Sequence, residues 1–186
     1  NCNISLGTIR FDNAPGTYTY QVLKITDTAG AVSNVDTVSV TVTAPALAAD
    51  LLPDSSSGNS PLGVNFTGKR IGGDNSQTTW YTFWWNCDNA DTTYSGTRAA
   101  CGDPGNPIFG VEMNSGPGVS SVGISHTYAN GTYRPKLLVS QGGPSSPGVI
   151  DRADVTVSAP TLSASLSANP APPGTAPFTT QLIADV

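Results

Sequence analysis

A chain of 186 residues is long enough for one large domain or two ordinary ones, and its 38% hydrophobic content suits a β-sandwich core but is low for an α/β enzyme. Charged residues reach only 11%, less than half the usual share of about a quarter, so the polar surface is built from Ser, Thr, Asn and Gly, the residues of exposed strands and turns. The net charge of -5, with Lys69-Arg70 as the one adjacent basic pair, excludes a nucleic-acid surface, and no apolar stretch approaches the roughly 18 residues needed for membrane insertion as a helix.

The chain opens at Asn1-Cys2 with neither an initiator Met nor a signal segment, which reads as a processed protein or an excerpt of a longer one. With 20 Gly and 15 Pro, and no ten-residue run of helical periodicity, long helices are not expected. The first strand signal is Tyr18-Thr19-Tyr20-Gln21-Val22, whose phase slips by one at Leu23-Lys24-Ile25 and predicts a β-bulge. Leu62, Val64 and Phe66 alternate as a second strand, and Trp80 to Asn86 form an aromatic one. Tyr133, Pro135, Leu137 and Val139, and then Ala153, Val155 and Val157, complete the period-two segments. Gly/Pro/Ser/Asn clusters at 54–61 and 141–148 separate them, so the fold class is all-β, a sandwich of short strands.

An internal repeat is visible. Gly16-Thr17-Tyr18 matches Gly131-Thr132-Tyr133 at an offset of 115, and Val40-Thr41-Val42-Thr43-Ala44-Pro45 matches Val155-Thr156-Val157-Ser158-Ala159-Pro160 at the same offset. Pro61-Leu62-Gly63-Val64-Asn65-Phe66 matches Pro177-Phe178-Thr179-Thr180-Gln181-Leu182 at 116. The repeat divides the chain into the C-terminal part of one unit (1–43), a complete unit (46–158) and the N-terminal part of a further unit (161–186). The junctions Thr43-Ala44-Pro45 and Ser158-Ala159-Pro160 leave almost no linker, which predicts a semi-rigid rod.

The run His126-Thr127-Tyr128-Ala129-Asn130-Gly131-Thr132-Tyr133, followed by a strand, a turn and Val155-Thr156-Val157, resembles the signature of the polycystic kidney disease (PKD) domain. The start Pro61-Leu62-Gly63-Val64-Asn65-Phe66-Thr67 is similar to that family's first strand motif. The resemblance extends over the complete unit and both flanks, and is to tandem PKD repeats of bacterial secreted or cell-surface proteins. It implies immunoglobulin-like sandwiches that serve as extracellular spacers, adhesion modules or accessory domains of secreted hydrolases. One departure is clear: where the family has a Trp strand ending in a Gly-Asp-Gly turn, this chain has Phe83-Trp84-Trp85-Asn86-Cys87-Asp88-Asn89 and an excursion bounded by Cys87 and Cys101.

In a secreted protein, two cysteines enclosing 13 residues predict a disulfide, Cys87 to Cys101; metal binding is the alternative, but two thiols and one distant His fall short of a tetrahedral set. Cys2 lies upstream of its Gly-Thr-Tyr motif as Cys101 does, so it is expected to be unpaired by truncation, an interchain link being the alternative. His126, the single histidine, has no accompanying base or nucleophile and is read as structural. Asp50, Asp54, Asp74, Asp88, Asp91 and Asp103 are scattered through turns without a calcium-loop spacing; Ca²⁺ at a loop or junction is the alternative to solvated turns, and no other cofactor is expected. Trp80, Trp84, Trp85 and Tyr94 belong to the densest aromatic cluster. Because alternate strand residues face opposite sides, one of Trp84 and Trp85 is expected in the core beneath the disulfide, and the other on an open sheet face as a ligand or interface contact. Asn3, Asn65 and Asn130 fit the glycosylation triplet. Lys136 is weighed as a candidate for a buried Lys–Asn cross-link.

The expected function is therefore that of a structural or adhesive segment of an extracellular repeat protein forming a stalk, filament or surface fibre, not an enzyme. The alternative is a carbohydrate- or protein-binding accessory module of a secreted hydrolase. The expected partners are neighbouring PKD-like domains or copies of the chain end to end, with surface glycans as a further possibility.

Overall fold

The computed structural model describes residues 15–22, 26, 28–33, 36–169, 179 and 181–185. Cys2, Asn3 and the bulge expected at Leu23–Ile25 lie outside the described residues. The elements begin with an antiparallel pair, β1 (Gly16–Val22) and β2 (Asp36–Val42). The complete unit follows: β3 (Ala48–Pro53), β4 (Ser57–Asn59), β5 (Leu62–Ile71), β6 (Thr79–Trp84), the helix α1 (Tyr94–Cys101), β7 (Gly110–Ser115), β8 (Ser121–Tyr128), β9 (Gly131–Tyr133), β10 (Lys136–Gln141), β11 (Gly148–Arg152) and β12 (Val155–Ser158). A second antiparallel pair, β13 (Ser165–Asn169) and β14 (Gln181–Asp185), completes the order.

Strands β3, β5 and β8 form one antiparallel sheet. The facing layer consists of β11-β10-β6-β7 and β4-β12-β9, with β4 parallel to β12. Arg134-Pro135 splits β9 from β10, because proline has no N–H to extend the ladder, and Ala153-Asp154 splits β11 from β12 opposite it. The two interruptions meet where the Ala153 N–H donates to the Pro135 carbonyl (3.1 Å), so the layer turns a corner and continues. The segment from Tyr133 to Val139 that reads as one strand in the sequence is thus two strands, β9 and β10, whereas the segment from Ala153 to Val157 contains β12 alone. The strands thus form an all-β sandwich of facing layers.

The core follows from period-two alternation. Leu51, Val64, Phe66, Tyr81, Phe83, Trp85, Tyr128, Leu137, Val139, Val155 and Val157 are buried together between the sheets. Gly68 is required there by close approach, since a Cβ at that position would lie 2.6 Å from the Phe83 ring.

The strand registers of the two flanking hairpins can be set beside those of residues 46–158. In the complete unit Gly131 pairs with Val157, Thr132 with Thr156 and Tyr133 with Val155. Each number less 115 gives the pairs of the first hairpin: Gly16 with Val42, Thr17 with Thr41, Tyr18 with Val40. At the other end Asp50 pairs with Lys69 and Leu51 with Gly68, while Ser165 pairs with Asp185 and Leu166 with Ala184. Both flanking hairpins therefore repeat pairings of the complete unit, with the two offsets, 115 and 116, found by sequence matching.

Candidate functional site

The aromatic strand and the excursion that follows it depart most from the resemblance, and they form the candidate site. Tyr81, Phe83 and Trp85 point inward, while Trp80, Thr82 and Trp84 point to the outer face of the sheet. The expectation that one of the adjacent tryptophans lies on an open face is corrected, because both are buried: Trp84 is 0% exposed and Trp85 7%. Alternation does send them to opposite sides, but residues 87–101 fold back and cover the outer side. Trp84, Cys87 and Leu138 are buried in a second apolar cluster, with Tyr94, Cys101 and Ile150 packed against it. The indole N–H of Trp84 donates to the Gly102 carbonyl (3.0 Å), and that of Trp85 to the Pro107 carbonyl (2.9 Å), so each buried indole donor has its acceptor. Trp80 and Tyr94 are half-buried, Tyr94 tilted over Trp84 at 6.2 Å between ring centres.

The cover is fixed at several points. Cys87 and Cys101 are joined in a disulfide, with 5.5 Å between their Cα atoms. Between them lies α1, the one helix among the described residues. Thr93 caps it, its hydroxyl accepting from the Gly96 N–H (3.1 Å), and the Asp91 carboxylate in turn accepts from the Thr93 N–H (2.8 Å). Gly96 allows this close approach, because a Cβ there would strike Asp91 Oδ2 at 1.7 Å.

Beneath the helix, Lys136 is 0% exposed. Its ammonium donates to the carbonyls of Asn89 (2.9 Å) and Asp91 (2.6 Å) and to the Thr97 hydroxyl (2.9 Å), and Arg152 donates to the same Asn89 carbonyl. Burial, and next the Arg152 cation, lower the Lys136 ammonium from 10.5 to about 8. Its nitrogen is held by carbonyl and hydroxyl oxygens, which is the geometry of an internal cation tying the excursion to the sheet. The sequence offered one clue to this, since Lys136 shares the phase of Leu138 rather than that of Leu137 and Val139; nothing in it indicated that a cover would occupy that face.

Beside the cover, His126 stacks on Trp85 with 4.4 Å between ring centres and 7° between planes, and meets Tyr128 edge-on at 4.6 Å. Burial lowers the His126 pKa below 6.5. Two hollows of about 490 and 420 Å³ flank this stack, both lined by Trp85 and His126, and Ile108 and Phe109 border the larger one, exposed to 74% and 42%.

The other residues singled out from the sequence remain apart. Asp54 accepts from the backbone and carboxamide N–H groups of Asn65, Asp74 from Ser76, Asp88 from Arg134, and Asp103 from Arg98. Among the described residues, no three His, Cys, Asp or Glu side chains converge on one point. The Asn65 carboxamide is committed to Asp54, and Asn130 is exposed in the turn before Gly131. No described helix is long and apolar enough to cross a membrane. No family model and no curated protein matches this chain.

Proposed function

We propose that this chain is a structural or adhesive segment of an extracellular rod made of tandem PKD-like sandwich units. The observation that carries the reading is the repeated register, in which both flanking hairpins pair as the corresponding strands of the complete unit do. The polypeptide also enters and leaves that unit at opposite ends. Pro45 accepts from the Gly73 N–H (2.9 Å) beyond one end of β5, and Ser158 accepts from the Ser60 N–H (2.9 Å) beyond the other. The ten residues of β5 separate these ends by roughly 33 Å. Units joined this way stack lengthwise, each adding about 35 to 45 Å once turns are included. The disulfide is compatible with an extracellular location. The rival reading, an accessory module that stacks sugar on aromatic rings, is weakened because Trp84 and Trp85 are buried.

Small-angle X-ray scattering of the 186-residue chain tests the proposal. A compact fold of this length has a radius of gyration of about 16 Å. The rod requires a value well above that and an elongated distance distribution; a value near 16 Å, with both flanks folded onto the complete unit, overturns it.

A further inference from the structure

The two long sides of the complete unit, where the edges of its sheets run together, differ. On one side β3 packs against β11 and β10, and the Leu51 N–H donates across the gap to the Asp151 carboxylate (2.7 Å). On the other, β7 and β8 are both edge strands, and the hollow of about 420 Å³ opens between them, lined by Val111, Glu112, Ile124, Ser125 and His126 among others. Val111, Met113, Val122 and Ile124 pack against the core there but stay half-exposed.

Exposed strand edges are normally blunted by proline, charge, brevity or a bulge. Here β3 ends at Pro53, β4 has three residues and is followed by Pro61, β11 ends in Asp151-Arg152, and β7 carries Glu112. Strand β8 has none of these devices. Its eight residues are uncharged and lack proline, and they pair with β5 without a bulge from Leu62↔Tyr128 to Lys69↔Ser121. The Arg70 N–H to Ser120 carbonyl bond (2.8 Å) sets the antiparallel alternation, which turns the backbone groups of Ser121, Gly123, Ser125 and Thr127 away from β5. Among the described residues no strand pairs with them.

We propose that this side is a self-association surface, on which β8 of a second copy pairs antiparallel with β8 about Ile124. Centred there, the outward groups of Ser121 meet those of Thr127 in the partner and Gly123 meets Ser125, so the edge is complementary to itself, as a two-fold interface requires. Glu112 is the one carboxylate lining the hollow, so two identical surfaces meet with little charge repulsion. A strand of this length spans roughly 27 Å, and with two sheets about 10 Å apart the contact covers about 270 Å² on each copy, on the order of 500 Å² in total. That is below the size of a standard interface and implies weak, reversible association. The inference rests on the complete unit alone and does not require the rod.

The test is sedimentation velocity of the 186-residue chain over a concentration series, with the double variants Gly123→Lys/Ser125→Lys and Gly123→Glu/Ser125→Glu. A Cβ at Gly123 would meet one neighbour within 4 Å, the Phe66 carbonyl oxygen at 3.9 Å, so the side chain is tolerated, and an unchanged melting curve checks this. The natural chain should form a reversible dimer, each double variant alone should dimerise at least roughly tenfold more weakly because like charges oppose across the strands, and mixing the two variants should restore the dimer. A natural chain that stays monomeric, as it would if this edge served another protein's strand, overturns the inference. So does an oligomer that persists in the lysine variant, which would place association at the ends of the chain.

Discussion

Leu137 and Leu138 are neighbours on β10, both 0% exposed, yet they belong to two different interiors. Leu137 faces the sandwich core, where strands from both sheets close around Tyr81, Phe83 and Phe66. Leu138 faces the outer cluster, where one disulfide, one short helix and a buried ammonium cover Trp84. The inner face is sealed by long-range strand packing, whereas the outer face is sealed by a local excursion that must itself be held down. Burial on the inner side is therefore a property of the whole fold, and burial on the outer side depends on a few tethers.

The difference is best tested by truncating each leucine. Leu137→Ala should cost about 3 to 5 kcal/mol, because surrounding strands cannot collapse into the cavity, and Leu138→Ala about 2 to 3, because the cover can settle. Chemical denaturation of the two variants measures both; an equal or larger loss at Leu138 breaks the distinction. Removing the disulfide by Cys87→Ala/Cys101→Ala should cost about 3 kcal/mol for a loop of this size, with hydrogen exchange rising first between residues 88 and 101 and the β5–β8 ladder still protected. A simultaneous loss of both would mean that the two interiors are one cooperative unit.

Lys136→Met should cost about 1 to 3 kcal/mol, because the Asn89 and Asp91 carbonyls lose a buried donor, and it should loosen α1 more than the sandwich core, as read by hydrogen exchange. The smallest expected effect is that of pH on His126. Its folded pKa lies below the unfolded value of 6.5, so the unfolded chain binds more protons on acidification and stability falls as pH drops through 6.5 toward the folded value. His126→Phe should remove that slope between neutral and mildly acidic pH; a slope of unchanged size would assign it to other groups.

Much of this arrangement was legible in advance where the signal is local. Leu62, Val64 and Phe66, and Leu137 and Val139, announce their strands by alternation, and the spacing of Cys87 and Cys101 announces the bond. Strand β8 was legible only as part of a motif. Strand β7 carried no clean period, because Glu112 and Asn114 alternate with Val111 and Met113 over too short a run. Helix α1 was missed because eight residues with a central glycine give no helical period; capping by Thr93 and the disulfide hold it in place of intrinsic propensity.

By itself the sequence determined an all-β fold and which residues alternate toward a core, because strand periodicity and turn chemistry act over a few residues at a time. Only the tertiary structure decided that Trp84 and Trp85 would both be buried, that Lys136 would serve as an internal cation, and that β8 would be left as a long, unblunted edge. Each of these depends on which surfaces meet in the folded chain, from 18 residues apart for Trp84 and Gly102 to 47 for Lys136 and Asn89, and alternation along one strand carries no information about what covers its far face.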